Sequence, residues 1–512
     1  MDRIALSTLV ALVFAVPVSR ADEAAAPAPQ PEATASRPTE TAPAAEQPAV
    51  RTFVPVPHPV ARETGYRGFW LGAAGPEAQS GDPIVGGVAF APMSHAPVAV
   101  YAAAVDKTFF VYAGASGPPA AERDKQTMRI LIGAYDHKAG TVSVPVILLD
   151  NLPPQAYGCP ALTIDDAGRL WVFAAVNGAD YPSTILRSAQ PHDIDAWEKV
   201  AEMDFQHPQA WHVPGQGFLL VHTRQIDGKP RVHSTTSPDG LTWSEPTVVA
   251  TFGDGQSCLS GRHKNKIGIV MTQRPMGLPA GHREDVYYLE TPDLGRAWQA
   301  LPRKKLELPL ADATNPARVK DYKNWHFILN DLTFDRSGNP IIVTVIRHMS
   351  KSEPAHNSRI WATTRWTGRE WEAIGGFQTD SDHDAGCLEV DKTVWLITAP
   401  ARPGPQPASP GGEIVRLRSE DQGRAWYPHP LTENSSGNHN WVRRPVDAQP
   451  AMSLLWADGN PRQPSESHLY FADTPGNVYR LPTTMTEPEA RPELVHKAPE
   501  PATQPDEDVA GN

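Results

Sequence analysis

The sequence predicts an all-β protein built from a repeated unit of strands, because two short patterns recur and helical periodicity is hard to find. The first pattern has Ser or Thr, Asp two residues later, then Gly and Trp, and it occurs at residues 237–243, 291–298 and 419–426. Asp and Gly favour a tight turn, since the carboxylate accepts backbone N–H groups and Gly adopts positive φ. A specific turn on similar flanks indicates an internal repeat.

The second pattern is a hairpin with an apolar strand, a turn containing Asp and a second apolar strand. It occurs at residues 162–173 and 332–343, with a shorter version at 388–397. Alignment of both patterns gives seven units, at 85–155, 156–200, 205–250, 255–302, 325–375, 380–430 and 438–482. Because their length is close to the period of propeller blades, we expect a seven-bladed β-propeller. We also expect residues 65–70 to add an outer strand to the last blade and close the ring.

The two ends of the chain differ in composition from its middle. Residues 1–21 are typical of a signal peptide, with Arg3, an apolar stretch and small residues at Ser19 and Ala21. We expect a disordered Ala/Pro-rich tether at 22–60, the propeller at 62–482 and a disordered acidic tail at 483–512. No later segment is apolar enough to span a membrane. The protein is therefore expected to be exported, periplasmic or extracellular, with a retained N-terminal anchor as the alternative.

Charge and cysteine content limit the partners. The net charge of −12 disfavours nucleic-acid binding and would repel an acidic glycan unless a local basic cluster offsets it. Cys159, Cys258 and Cys387 are an odd number, so at least one has no internal disulfide partner. Small buried residues are the preferred interpretation, although a thiolate metal site is conceivable. We expect a monomer with no certain cofactor, and a structural metal ion is the open alternative.

Polar residues lie before or within the expected inner strands of most units, where the loops of a propeller form a shared mouth. A neutral His or a Tyr transfers protons near neutral pH, and Arg binds carboxylates in bidentate fashion. The catalytic candidates are His95, Tyr157, His207, His383 and His439. The candidates for binding substrate are Arg262, Asn330, Asp331, Arg443 and Arg444. These residue types suit the cleavage of a carbohydrate that carries a carboxylate.

The repeated turns resemble the Asp-boxes of BNR-repeat proteins, the sialidase-like β-propellers. Further segments look like a secreted BNR-repeat family that is related to propeller polysaccharide lyases (ulvan and rhamnose–glucuronate lyases) and to propeller α-L-rhamnosidases. These segments are residues 65–70, 94–101, 107–112, 135–138, 208–211, 456–459 and 463–467. The resemblance implies an enzyme acting on an acidic or rhamnose-containing glycan. It also implies a catalytic role for His95, which matches a catalytic His of the rhamnosidase-like group.

The chain departs from these relatives at two places. Ulvan-lyase relatives carry a catalytic His in the second blade, where this chain has Tyr157 between Ala156 and Gly158. The Arg-containing segment that begins a sialidase carboxylate site is missing, so a true sialidase is not expected. Cleavage of a uronate- or rhamnose-containing polysaccharide by β-elimination is the leading hypothesis. A glycoside hydrolase, which would need paired carboxylates such as Asp331, Asp382 or Asp384, and a non-catalytic glycan- or protein-binding propeller are the alternatives.

Overall fold

A computed structural model describes residues 50–72, 84–119, 125–175, 182–279, 281–320, 325–348 and 359–499. The predicted signal peptide and most of the tether lie outside these residues. The described chain is all-β, with 39 strands. Within it we find no helix that is long and apolar enough to cross a membrane. The first five strands are short: β1 (Val50–Thr52), β2 (Val56–His58), β3 (Ala61–Arg62), β4 (Trp70–Leu71) and β5 (Gly86–Gly87).

Three antiparallel meanders follow along the chain. The first sheet contains β6 (Ala99–Ala102), β7 (Lys107–Ala115), β8 (Met128–Asp136), β9 (Thr141–Ser143) and β10 (Val146–Leu152). The second contains β11 (Ala161–Ile164), β12 (Leu170–Ala174), β13 (Ser183–Ser188) and β14 (Trp197–Met203). The third contains β15 (Gln206–Val213), β16 (Gly217–Ile226), β17 (Lys229–Ser237) and β19 (Thr247–Val248), with β18 (Thr242–Ser244) between the last two in the chain.

The next two sheets repeat this order. The fourth contains β20 (Gln256–His263), β21 (Lys266–Gln273), β22 (Glu284–Thr291), β23 (Trp298–Ala300), β24 (Lys304–Leu306) and β25 (Arg318–Lys320). The fifth contains β26 (Trp325–Phe334), β27 (Pro340–His348), β28 (Arg359–Trp366) and β29 (Trp371–Thr379). Central strands such as β12 are buried along their whole length, which explains their continuous apolar sequences.

Two further meanders share a nine-stranded sheet through one pairing of Gly412 with His439. One contains β30 (Cys387–Asp391), β31 (Val394–Pro403), β32 (Gly412–Ser419) and β33 (Tyr427–Pro430). The other contains β34 (Asn438–Arg443), β35 (Leu454–Gly459), β36 (Leu469–Ala472) and β37 (Val478–Arg480). The chain then forms β38 (Glu489–Ala490) and β39 (Glu493–His496). The last meander meets the first, since Val446 bonds to the backbone of Ala99 and Tyr101.

The predicted Asp-and-Gly turns are confirmed on three different sheets, where they join β17 to β18, β22 to β23 and β32 to β33. In the first, the Asp239 carboxylate accepts the N–H groups of Leu241 and Thr242 at 2.8 and 2.7 Å. The indole N–H of Trp243 donates to the carbonyl of Gly240 at 2.8 Å. Asp293 and Asp421 accept equivalent backbone bonds. These aspartates therefore stabilise turns.

The expected limits of the ends need correction. Strand β1 pairs with β18, β2 with β14 and β3 with β10, so residues 50–62 run along three successive meanders. At the other end, β38 pairs with β9 and β39 with β37. The composition of these segments predicted disorder, but their backbones satisfy the exposed edges of outer strands, which does not require large apolar side chains. The parts of the tether and tail at 22–49 and 500–512 lie outside the described residues.

The expected closing strand is also wrong. Residues 65–70 do not extend the last meander at its outer edge; they lie between the first and last meanders. The N–H of Gly68 donates to Ser467 and that of Phe69 to Ala113, at 2.8 and 2.9 Å. Residue Tyr66 is fully buried, and its hydroxyl donates to the carbonyl of Ser143 at 2.6 Å. The aromatic side chains of this segment are therefore used for packing between sheets.

Candidate active site

Tyr157, His207, Arg283, His326 and Asp382 lie at one end of five successive sheets, which we call the His207 mouth. Strands β11, β15, β22, β26 and β30, one from each of these sheets, begin at this end, because first and third strands of a meander run in the same direction. A loop at residues 90–97 crosses behind the mouth. Its Ala96 exchanges backbone bonds with the third sheet, at 3.1 Å to Pro208 and 2.8 Å from Ala210.

Arg443 fixes this loop from the last meander. Its guanidinium donates to the carbonyls of Phe90 and Pro92 at 2.9 and 2.8 Å, and also to that of His95. Burial lowers the pKa of Arg443, and the three carbonyls replace the lost water. The predicted contact with an acidic sugar is not supported, because these donors hold the loop.

His95 lies under the mouth and not in it, with only 1% of its surface exposed. Its Nδ1 bonds to the carbonyl of Cys159, so Nδ1 carries the proton and Nε2 is an acceptor. No hydrogen-bond partner for Nε2 is found among the described residues. Burial, followed by the charge of His207, holds the pKa of His95 well below its usual value. His95 is thus a neutral, enclosed imidazole.

His207 lies in the mouth because of a β-bulge. The register of β15 against β16 shifts between Gln206 and Gln209, and His207 itself has a φ of 50°. A non-glycine residue in this left-handed region is uncommon, and such bulges redirect side chains. The His207 ring lies edge-on to His95 at 5.5 Å and to Tyr157 at 5.3 Å between centroids. Burial, helped by Arg283, lowers the pKa of His207 to about 4.

Tyr157 is the open member of this trio, with 37% of its surface exposed. Burial of the rest of the side chain raises the pKa of its phenol, while the positive charge of Arg283 acts in the opposite direction. The phenol therefore stays protonated at neutral pH. A protonated phenol beside a neutral imidazole is an acid–base pair.

Arg283 completes the site, and the sequence analysis did not identify it. Its Nε donates to Ser257 Oγ at 2.8 Å and its Nη1 to the carbonyl of His282 at 2.8 Å. Its backbone N–H donates to Nδ1 of His326 at 3.2 Å. Burial lowers its pKa, with a further contribution from Arg274, yet an arginine remains charged. Its position in the sequence could have indicated this role. Arg283 immediately precedes the third strand of its sheet, and third strands begin at the same mouth as first strands.

His383 precedes β30, the first strand of the sixth meander, and lies beside the ion-paired carboxylate of Asp382. The adjacent Asp382 binds Arg359 at 2.8 Å and lies 3.3 Å from Arg347. Burial lowers the pKa of His383, and the charge of Asp382 opposes this effect. No contact joins His383 to His207 among the described interactions, so the structure does not place them as a reacting pair.

His439 is in a separate buried network. Its Nδ1 accepts from the indole of Trp456 at 3.0 Å, so Nε2 carries the proton and donates to Ser435 Oγ at 2.9 Å. Ser435 Oγ donates in turn to Glu413 at 2.8 Å. Both ring nitrogens are engaged, and burial lowers the pKa of His439. The expected approach of His439 to the shared site is wrong, because the hydrogen bond from Trp456 holds the imidazole against β35 of the same sheet.

The remaining predicted binding residues lie apart from the mouth. Asn330 and Asp331 are inside β26 at a bulge and do not precede it, since the strand begins seven residues before the repeat pattern at Leu332. Asp331 accepts the N–H of Leu388 at 2.8 Å and lies 3.3 Å from Arg444. Arg262 is near the far end of β20, 3.9 Å from Asp447. These residues therefore do not converge with His207.

The described residues contain no group of three His, Cys, Asp or Glu side chains that could hold a metal ion. All three cysteines are buried and unpaired, in agreement with the preferred interpretation. Burial raises the pKa of both Cys159 and Cys258 to about 12, so their thiols stay protonated.

Comparison with known proteins supports the fold. We find no curated relative of the chain by sequence. An ulvan lyase of polysaccharide lyase family 25 has a TM-score of 0.60 and 16% identity, covering 76% of this chain and 94% of its own. The same lyase bound to –[GlcA(1-4)Rha3S]– gives 0.60 and 16%, covering 81% and 96%. Polysaccharide lyase Uly1 gives 0.52 and 12%, covering 80% and 97%.

A protein-family model also matches part of the sequence. Residues 155–373, which include Tyr157, His207 and Arg283, match the model described as a BNR repeat-containing family member. This match confirms the resemblance to BNR-repeat proteins that the Asp-and-Gly turns indicated. Residues 155–373 are thus similar to a BNR repeat-containing family, and the described chain shares its fold with solved polysaccharide lyases.

Proposed function

We propose that the protein is an exported enzyme that cleaves a uronate-containing, rhamnose-containing polysaccharide by β-elimination, on a monomeric propeller of seven blades. The observation that carries this proposal is the convergence of Tyr157, His207 and Arg283 at one mouth. An ulvan lyase of the same fold binds a glucuronate–rhamnose 3-sulfate chain, which supports an acidic glycan as the substrate class. The seven meanders, with Val446 joining last to first, support the blade number.

Arg283 binds the uronate carboxylate and stabilises the charge that develops when the neighbouring carbon loses its proton. His207, which is neutral at pH 7, accepts that proton. The bound carboxylate raises the pKa of His207 from its low resting value, because a nearby negative charge favours the imidazolium. The electron pair of the broken C–H bond forms the new C=C bond as the glycosidic C–O bond breaks. The phenol of Tyr157 donates its proton to the leaving oxygen.

Hydrolysis by paired carboxylates has less support. Asp382 is bound by two arginines and Asp331 by Arg444. Asp384 is buried, and burial raises its pKa well above the usual value, while it accepts the N–H of Gly411 at 2.7 Å. A hydrolase needs one carboxylate to act as nucleophile or base beside a second one. Each of these three is already engaged in holding the chain.

The test is to incubate the purified protein with glucuronate–rhamnose polysaccharides, sulfated and desulfated, and to follow the ultraviolet absorbance of unsaturated uronate. We expect absorbance to rise with wild type and not with Tyr157→Phe. New reducing ends without absorbance would indicate hydrolysis. Glycan binding without either product would make the protein a binding propeller and overturn the proposal.

A further inference from the structure

Two arginines share one carboxylate beside the proposed catalytic residues. Asp382 Oδ1 is 2.8 Å from Nε of Arg359, and Asp382 Oδ2 is 3.3 Å from Nε of Arg347. No other ion pair of either arginine is found in the described part of the chain. An arginine stays charged in proteins, so the cluster keeps an excess positive charge of about one.

The cluster retains donors that the chain does not use. A guanidinium carries five N–H groups, and the hydrogen bond described for this pair of side chains is the one from Nε of Arg359 to Asp382. Nε of Arg347 is buried and has no hydrogen-bond partner among the described residues. The side chains of Arg347 and Arg359 keep 24% and 23% of their surface exposed, whereas that of Asp382 keeps 11%. The carboxylate is therefore more enclosed than either arginine side chain.

The cluster adjoins the catalytic trio through one residue. Arg347 is the cross-strand partner of His326, and Nδ1 of His326 accepts the backbone N–H of Arg283 at 3.2 Å. Burial and then the charge of Arg347 lower the pKa of His326, while Asp382 acts in the opposite direction. A glycan whose carboxylate is at Arg283 would thus place a neighbouring sugar toward Arg347 and Arg359.

We propose that Arg347 and Arg359 form a second anion subsite, which binds an ionised group on a sugar next to the cleaved one. The substrate class rests on the proposed function. The ligand is an oxyanion, either a sulfate ester or a second uronate carboxylate, because both present acceptor oxygens to the paired guanidinium groups. Asp382 keeps the two arginines together in the free protein and limits the affinity of the subsite.

The test is calorimetric binding of a glucuronate–rhamnose 3-sulfate tetrasaccharide and of the same compound after desulfation. Binding is measured in a Tyr157→Phe background, which keeps the ligand intact. We expect Arg359→Gln and Arg347→Gln each to weaken binding of the sulfated compound by about tenfold, the usual effect of one charge-assisted hydrogen bond. If the subsite binds sulfate, the two variants should bind the desulfated compound as tightly as the protein with both arginines does. If the subsite binds a carboxylate, the two variants should bind both compounds more weakly, by the same factor.

Two further variants exclude a general effect of misfolding. Asp382→Asn should raise affinity for the oxyanion, because the competing carboxylate is removed while both arginines remain. Arg365 is at the other end of β28, where it pairs with Glu372, so Arg365→Gln is the matched control and should bind as wild type does. Unchanged affinity in both Arg347→Gln and Arg359→Gln, or weaker binding in Asp382→Asn, would overturn the subsite. Loss of the proposed function is recognised separately, as tight binding by wild type without cleavage.

Discussion

His207 and His95 lie edge to face at 5.5 Å, but only His207 reaches the mouth. His95 is tied by Nδ1 to Cys159 and is enclosed by the loop that Arg443 holds. The two imidazoles therefore have different expected roles. His207 is in a position to exchange protons with a substrate, and His95 supports it from below. Our proposal therefore assigns to His207 the catalytic role that the resemblance to rhamnosidases implied for His95.

The first prediction separates these roles. His207→Gln should lower kcat on the glucuronate–rhamnose polysaccharide by about 100-fold or more, the usual contribution of a general base. Its melting temperature should change little, because His207 is half-buried. His95→Gln should instead lower stability, since it disturbs a buried, bonded ring. Equal loss of activity and stability in His207→Gln, measured by kinetics and thermal melting, would contradict the assignment.

The second prediction concerns pH. Burial, followed by the charge of His233, lowers the pKa of His222 to about 3, and the two rings stack at 5.5 Å. His222 remains neutral in the folded protein but gains a proton in the unfolded chain below its ordinary pKa of 6.5. Its contribution to stability is complete above that value and falls as the pH drops toward 3. The loss is about 1.4 kcal/mol per pH unit.

Urea unfolding at pH 7 and pH 4.5 measures this effect. His222→Gln keeps a hydrogen-bonding group near Thr235, which His222 contacts at 2.9 Å, but does not titrate. It should therefore lose less stability than wild type between the two values. His429→Gln, at an exposed position, is the control for replacing a histidine. An unchanged slope in His222→Gln would show that other groups determine acid stability.

The third prediction concerns the Asp-and-Gly turns. Asp293→Ala removes the acceptor of the Ala297 N–H at 2.9 Å and of the Thr291 hydroxyl at 2.9 Å. It should lower the free energy of unfolding by about 1–3 kcal/mol through unsatisfied donors. Activity per folded molecule should be unchanged. Glu307→Ala, at an exposed ion pair with Lys305, is the control for loss of a surface carboxylate and should leave stability within about 0.5 kcal/mol.

The fourth prediction concerns residues 50–62. A chain that begins at Val50 retains β1, β2 and β3, whereas one that begins at Glu63 exposes the strand edges that they cover. The longer chain should melt as the full protein does, and the shorter one should melt several degrees lower and aggregate more readily. Equal melting temperatures would mean that these pairings contribute little.

The sequence predicted the repeated hairpins because Asp, Gly and Trp determine a turn locally. It could not separate His207 from His439, since both follow polar residues before a first strand. A bulge directs one into the mouth, and Trp456, which is 17 residues from His439, holds the other. The pattern of polar residues before first strands does not include Arg283, because Arg283 precedes a third strand, β22. Disorder was predicted for residues 50–60 from composition, but edge pairing uses the backbone and is nearly independent of side chains.

The last prediction tests Arg283 as the residue that binds the uronate carboxylate. Arg283→Lys keeps the charge but loses the planar pair of donors, so kcat/KM should fall by at least about tenfold, with a larger loss in Arg283→Gln. Ser257→Ala removes only the acceptor of Nε and should have a smaller effect, because the bond to the His282 carbonyl remains. Arg262→Gln is the control, since Arg262 lies near the far end of β20 and should leave kcat/KM unchanged. The measurement is steady-state cleavage of the polysaccharide and of its carboxyl-reduced derivative. Wild type should discriminate strongly against the reduced glycan, and Arg283→Gln should not. If Arg283→Gln kept this discrimination and Arg262→Gln lost it, the carboxylate would be bound at the opposite end of the sheets.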